Sequence, residues 1–254
     1  MVLDSLAEIH SLLSRKGRAL LMTTPKLMRW VRRLSVGVAV TLMAICGSGP
    51  AMADIVIWTG GFMDGTWSSG GTGQNWYDAT TSTFNVVPGA GDVALFDYTD
   101  SSYNGYPTYL PVVTVGGPQA VGQLKFDNTL TLAATPSLTI GPDSTTIPDS
   151  LAISGISGVN GNVGILNNAA VAITISAPLA LQNSQIWTNN SAIALTVSGV
   201  VSGTANLTIN GTGVTVLSGT NSYVGSTTIS GGTLSISNDN NFRSPDMAVK
   251  VSGV

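Results

Sequence analysis

Three aspartates, Asp92, Asp97 and Asp100, fall within nine residues. Carboxylates brought onto one face are the equipment of general acid–base cleavage of glycosidic bonds. The overlapping stretch "GAGDVALFD", Gly89 to Asp97, has the glycine and aspartate content of a calcium-binding turn. Such sites need the pattern in tandem, and here it occurs once. Aspartate also has a plainer use in turns, where it accepts hydrogen bonds from nearby backbone, and that reading is preferred for all three. The rest of the catalytic inventory is thin. The chain's single histidine, cysteine and glutamate (His10, Cys46 and Glu8) all lie in its first 53 residues. No catalytic, metal-binding or cofactor-binding residue is assigned, and the protein is not expected to be an enzyme.

Those 53 residues are a different kind of sequence. Seven of the ten Lys and Arg (Arg15, Lys16, Arg18, Lys26, Arg29, Arg32 and Arg33) lie there, followed by an apolar run from Leu34 to Cys46 and then Ala51-Met52-Ala53. A basic region, a short apolar region and an A-x-A site make a secretory signal peptide, cleaved before Asp54. The run is short of the ~20 residues a spanning helix needs. The signal is long, so Met22 and Met28 are alternative starts. Arg32-Arg33 is not continued as a twin-arginine motif, and Ile45 is too bulky to precede a lipidated Cys46.

From Asp54 onward three cations (Lys125, Arg243 and Lys250) face eleven aspartates, a net charge of 3 − 11 = −8. Three cations cannot neutralise a row of phosphates, so a nucleic-acid partner is not expected. No cysteine remains to form disulfides, and no membrane span is expected.

The mature chain divides in two. From 54 to 110 it is aromatic and rich in turn signals: Trp58, Phe62, Trp67, Trp76, Tyr77, Phe84, Phe96, Tyr98, Tyr103, Tyr106 and Tyr109. Flat aromatic faces suit sugar rings, but large aromatics also bury the most area per residue. A cap core is the preferred reading, with surface glycans the alternative partner. From 111 to 254 short aliphatic strands recur between turns, as in "PVVTV", "TLTLA", "VAITIS" and "TLSIS". Trp187 reads as a core or edge filler among them. Three matches to the N-glycosylation pattern, beginning at Asn189, Asn206 and Asn210, are of the kind that arises by chance in an Asn- and Thr-rich chain.

"GTGVTVLSGTNSYVGSTTISGGTLSIS", Gly211 to Ser237, contains no His, Cys, Asp, Glu, Lys or Arg. Leu207 and Ile209, Val214 and Val216, and Leu234 and Ile236 alternate with small polar residues, the period of half-buried strands. Ser-Gly pairs at 154, 198, 218 and 230 punctuate them at unequal intervals, which reads as a degenerate repeat. Gly219 and Gly232 are expected at tight corners with positive φ. Absence of helical period makes the fold all-β. Small aliphatic inward positions favour a solenoid, with a β-sandwich as the alternative.

The stretch Leu207 to Ser237 resembles the passenger-associated transport repeat of bacterial autotransporters, also called the autotransporter-associated β-strand repeat. The motif positions are held by Gly211, Gly213, Gly219, Asn221, Tyr223, Gly225, Thr227, Ile229, Gly232 and Leu234. Ile209-Asn210 replaces a pair that usually includes lysine, and Val214 and Val216 replace Thr and Leu. The resemblance implies a right-handed β-helix, export across an outer membrane and help in passenger folding. The 17 residues after Ser237 are too few for a translocator barrel, so the expected partners are further coils or a translocator encoded elsewhere. The expected protein is thus a secreted or surface-displayed structural solenoid. Its regions are a signal at 1–53, an aromatic cap at 54–110 and a solenoid at 111–254 carrying the repeat at about 207–237, incomplete at its end. A carbohydrate-binding or adhesive module is the alternative, with a polysaccharide-active β-helix behind it.

Overall fold

A computed structural model describes residues 53–60, 65–67, 75–84, 86–97, 112–127, 137–143, 149–158, 161–237 and, as backbone, 249–251. The expected signal peptide through Met52, with Ala51 of the expected cleavage site, lies outside these residues. So do Asp100, Phe62, Tyr98, Tyr103, Tyr106 and Tyr109.

Alternation of branched apolar and small polar residues gives strands throughout, and the described secondary structure is all β. The chain enters through β1 (Ile55–Trp58), β2 (Trp76–Asp78) and β3 (Thr83–Phe84). It then runs in threes: β4 (Val93–Phe96), β5 (Val112–Val115) and β6 (Pro118–Val121), then β7 (Gln123–Phe126), β8 (Ser137–Pro142) and β9 (Ser150–Ile153). A short β10 (Ile156–Gly158) precedes β11 (Gly161–Asn167), β12 (Ala172–Ile175) and β13 (Leu179–Leu181). The next three are β14 (Gln185–Asn189), β15 (Leu195–Val197) and β16 (Val201–Gly203). After them come β17 (Leu207–Gly211), β18 (Val214–Leu217), β19 (Thr227–Ile229), β20 (Thr233–Ile236) and β21 (Val249–Val251).

Members of each three go to three different sheets. The first sheet is ordered β21-β19-β17-β14-β11-β7-β4-β1-β2-β3, with β10 beside β11. The second is β20-β18-β15-β12-β8-β5 and the third is β16-β13-β9-β6. Each strand therefore lies on its counterpart one three earlier, and these pairings are parallel. The sandwich alternative needs antiparallel sheets and does not fit this pairing.

Register makes the core. In the first sheet Val56, Ala94, Leu124, Ile165, Trp187, Ile209 and Ile229 form one rung-by-rung column. In the second, Leu138, Ile173, Leu195, Thr215 and Leu234 form another. In the third, Leu151, Leu179 and Val201 do the same. Trp187 is thus a core rung, fully buried, its indole N–H donating to Gln185 Oε1 at 3.0 Å.

Two local readings are corrected. Val214 and Val216 face outward while Thr215 and Leu217 face in. Three of the four residues of β18 are apolar, so alternation alone cannot choose a face; pairing of Thr215 and Leu217 with Leu195 and Val197 does. The unequal Ser-Gly spacing also has a geometric cause. Ser198-Gly199 and Ser218-Gly219 follow second-sheet strands, whereas Ser154-Gly155 follows β9 and Ser230-Gly231 follows β19. The pairs mark different corners. The period is carried by the rungs: 165, 187 and 209 are 22 residues apart, and 229 follows after 20.

At the other end of the first sheet β2 lies antiparallel on β1. Trp58, Trp67, Trp76 and Phe96 cluster there, with ring centroids 4.9 Å apart for Trp58–Trp76 and 4.8 Å for Trp67–Trp76, both edge to face. Phe96 stacks on Phe126 at 5.1 Å. Trp58, Trp67 and Trp76 are all buried, leaving no open indole face for a sugar ring. The turn after β2 is held by Asp78 Oδ1, which accepts from the amides of Thr80 and Thr81.

Candidate functional site: the repeat coil

The motif residues occupy one turn of chain, from the end of β17 to β20. Gly211 ends β17 and Gly213 follows it; Gly219 follows β18; Gly225 precedes β19, which holds Thr227 and Ile229; Gly232 precedes β20, which holds Leu234. Asn221 and Tyr223 lie between β18 and β19, where earlier threes place a third-sheet strand.

The third sheet shows what Asn221 does. The amide of Leu151 donates to the carbonyl of Pro178, and that of Leu179 to the carbonyl of Val200, both at 2.8 Å. One rung later the amide of Val201 donates to the side-chain Oδ1 of Asn221 at 2.9 Å. A side-chain amide has taken the place of a strand carbonyl. The ladder is then continued by the amides of Ser222 and Tyr223, which donate to Val201 O, and of Val224, which donates to Gly203 O. A corner thereby closes a strand edge that would otherwise hold an unpaired buried donor.

Tyr223 is buried beneath this corner, and its hydroxyl shares a 2.7 Å hydrogen bond with Thr227 Oγ1, itself buried at the start of β19. Burial pushes the Tyr223 phenol above its ordinary pKa, partly offset by the Thr227 bond. A raised pKa favours the neutral form in the folded chain. Its stabilising effect is therefore complete below the unfolded value of about 10 and is lost as pH rises through the folded value.

The glycines are required by close approach. A β-carbon on Gly225 would lie 2.0 Å from Ala205 O, on Gly211 2.2 Å from Asn189 O, and on Gly213 2.3 Å from Ser191 O. Gly232 has the expected positive φ of 69°. Gly219 does not. Its constraint is contact, since a β-carbon there would meet Gly199 O at 2.3 Å.

Sequence reasoning missed a buried asparagine ladder beside this coil. Asn167 and Asn189 are paired inward rungs, and Asn167 Nδ2 donates to Asn189 Oδ1 at 3.0 Å. Each Oδ1 also accepts the amide two residues on, from Ala169 and from Ser191. The next rung is Gly211, and Asn189 Nδ2 donates instead to the carbonyl of Val214 at 2.7 Å. The signal was legible as Asn-Asn at 167–168 and again at 189–190, a 22-residue interval.

Of the three aspartates, Asp92 and Asp97 are among the described residues. Asp92 Oδ2 accepts the amide of Gly89 at 2.8 Å, a turn bond. Asp97 follows β4, and Asp100 is outside the described residues. Among the described residues no group of three His, Cys, Asp or Glu is placed to hold a metal.

The site thus belongs to a stacked, all-β repeat whose side chains serve the junction between successive turns of chain. The passenger-associated-transport-repeat family model matches residues 207–236, so the segment is an autotransporter passenger repeat. Over 153 residues, 58% of this chain, the sequence is 44% identical to the adhesin BmaC autotransporter of Brucella suis biovar 1 (strain 1330). The chain spans about 4% of the length of that relative. No solved structure matches.

Proposed function

We propose that this chain is a non-catalytic, surface-displayed passenger segment. It winds as a right-handed β-solenoid, the 54–110 region caps its first turn, and the repeat coil supports folding of the passenger during export. The observation that carries this is the repeat coil itself: every motif glycine is packed against the preceding turn of chain, and the Asn221 side chain and the Tyr223 amide are hydrogen-bonded to Val201 of that turn. Three further observations support it. From β4 to β18 successive strands, the short β10 aside, visit the three sheets in constant order through parallel pairings, and crossover connections between parallel strands are right-handed in nearly all cases. The antiparallel hairpin on β1 and the buried tryptophan cluster cover the starting edge. The long relative named as an autotransporter adhesin supports secretion or display at the outer surface, with further coils and a translocator as partners.

An adhesive role is a second reading, favoured by that relative's name. On this reading the contact surface excludes Trp58, Trp67 and Trp76, which are buried.

The test is an in-frame deletion of residues 207–237 from the full-length protein in its own cells. Passenger exposed to antibody and resistant to proteinase K is then measured at the surface. A several-fold loss of resistant passenger is expected at equal transcript level. Unchanged resistant passenger would remove the folding and export role.

A further inference from the structure

We draw no further inference here: the strongest candidate, the outward face of the second sheet with its in-register rungs of Thr139, Thr174, Thr196, Val216 and Ser235, is a stripe of small uncharged side chains, and nothing in the structure shows what covers it.

Discussion

Glycine at 225 answers to distance rather than to backbone freedom. Carbonyl oxygen of the preceding turn sits where a β-carbon would go, 2.0 Å away, and backbone cannot yield as a flexible side chain can. Gly225→Ala is expected to destabilise the chain by about 3 kcal/mol, the upper range for overpacking. Gly91→Ala supplies the control, because a β-carbon there meets nothing within 4 Å. Chemical denaturation of the two variants should separate them clearly; equal midpoints would dismiss the contact argument. Thr215 makes the opposite case. It stands in the inward column between Leu195 and Leu234, fully buried, and its hydroxyl has no hydrogen-bond partner among the described residues. Thr215→Val keeps the shape and removes an unsatisfied group. A gain of about 1 kcal/mol is expected, and a loss would mean the hydroxyl has a partner after all.

At the scale of an element, the repeat coil solves one problem: how to end a sheet without leaving its edge open. Among the described residues the first and second sheets continue through β19 and β20, while the third sheet ends at β16. Asn221 satisfies the donor that this ending exposes. Asn221→Ala should therefore cost about 1–3 kcal/mol, the price of a buried amide without an acceptor. Amide exchange distinguishes this from general loosening. The Val201 amide should exchange faster in the variant, while that of Leu179, which donates to the Val200 carbonyl, should keep its protection. Equal acceleration at both amides would contradict the local role. The shortening of the rung interval from 22 to 20 residues fits the same substitution, since a corner needs fewer residues than a strand and its two flanking turns.

Across the whole molecule, charge and architecture explain each other. From Ser150 to Asn238 there is no Asp, Glu, Lys, Arg or His. Stacking in register places equivalent side chains about 4.8 Å apart, where like charges repel and uncharged Ser, Thr and Asn do not. Nine of the eleven mature aspartates precede this stretch. Where Asp97 and Asp127 follow the paired Phe96 and Phe126, the ammonium of Lys125 lies 3.2 Å from Asp127. Seven of the ten Lys and Arg lie instead in the first 53 residues, the basic composition expected of a signal peptide. Mass spectrometry of exported protein should find a mature chain beginning at Asp54. A chain that begins instead at a lipid-modified Cys46 would overturn the assignment.

Period-two alternation, turn residues and the absence of helical period determined an all-β chain, because those signals are local. The repeat was likewise legible, since its glycines, Asn221 and Tyr223 hold fixed spacings within thirty residues. Which face of β18 points inward was not legible: Val214 and Val216 look apolar enough to be core, and only the rungs at Leu195 and Val197 turn Thr215 inward instead. Nor was the reason for Gly219, whose constraint is an oxygen twenty residues earlier in the chain. The Asn167–Asn189 ladder and the bond from Val201 to Asn221 belong to the same class. Each joins residues about twenty apart in sequence and one strand spacing apart in space. Local sequence fixes what a strand or a turn will be, but register between turns of chain decides what each side chain meets.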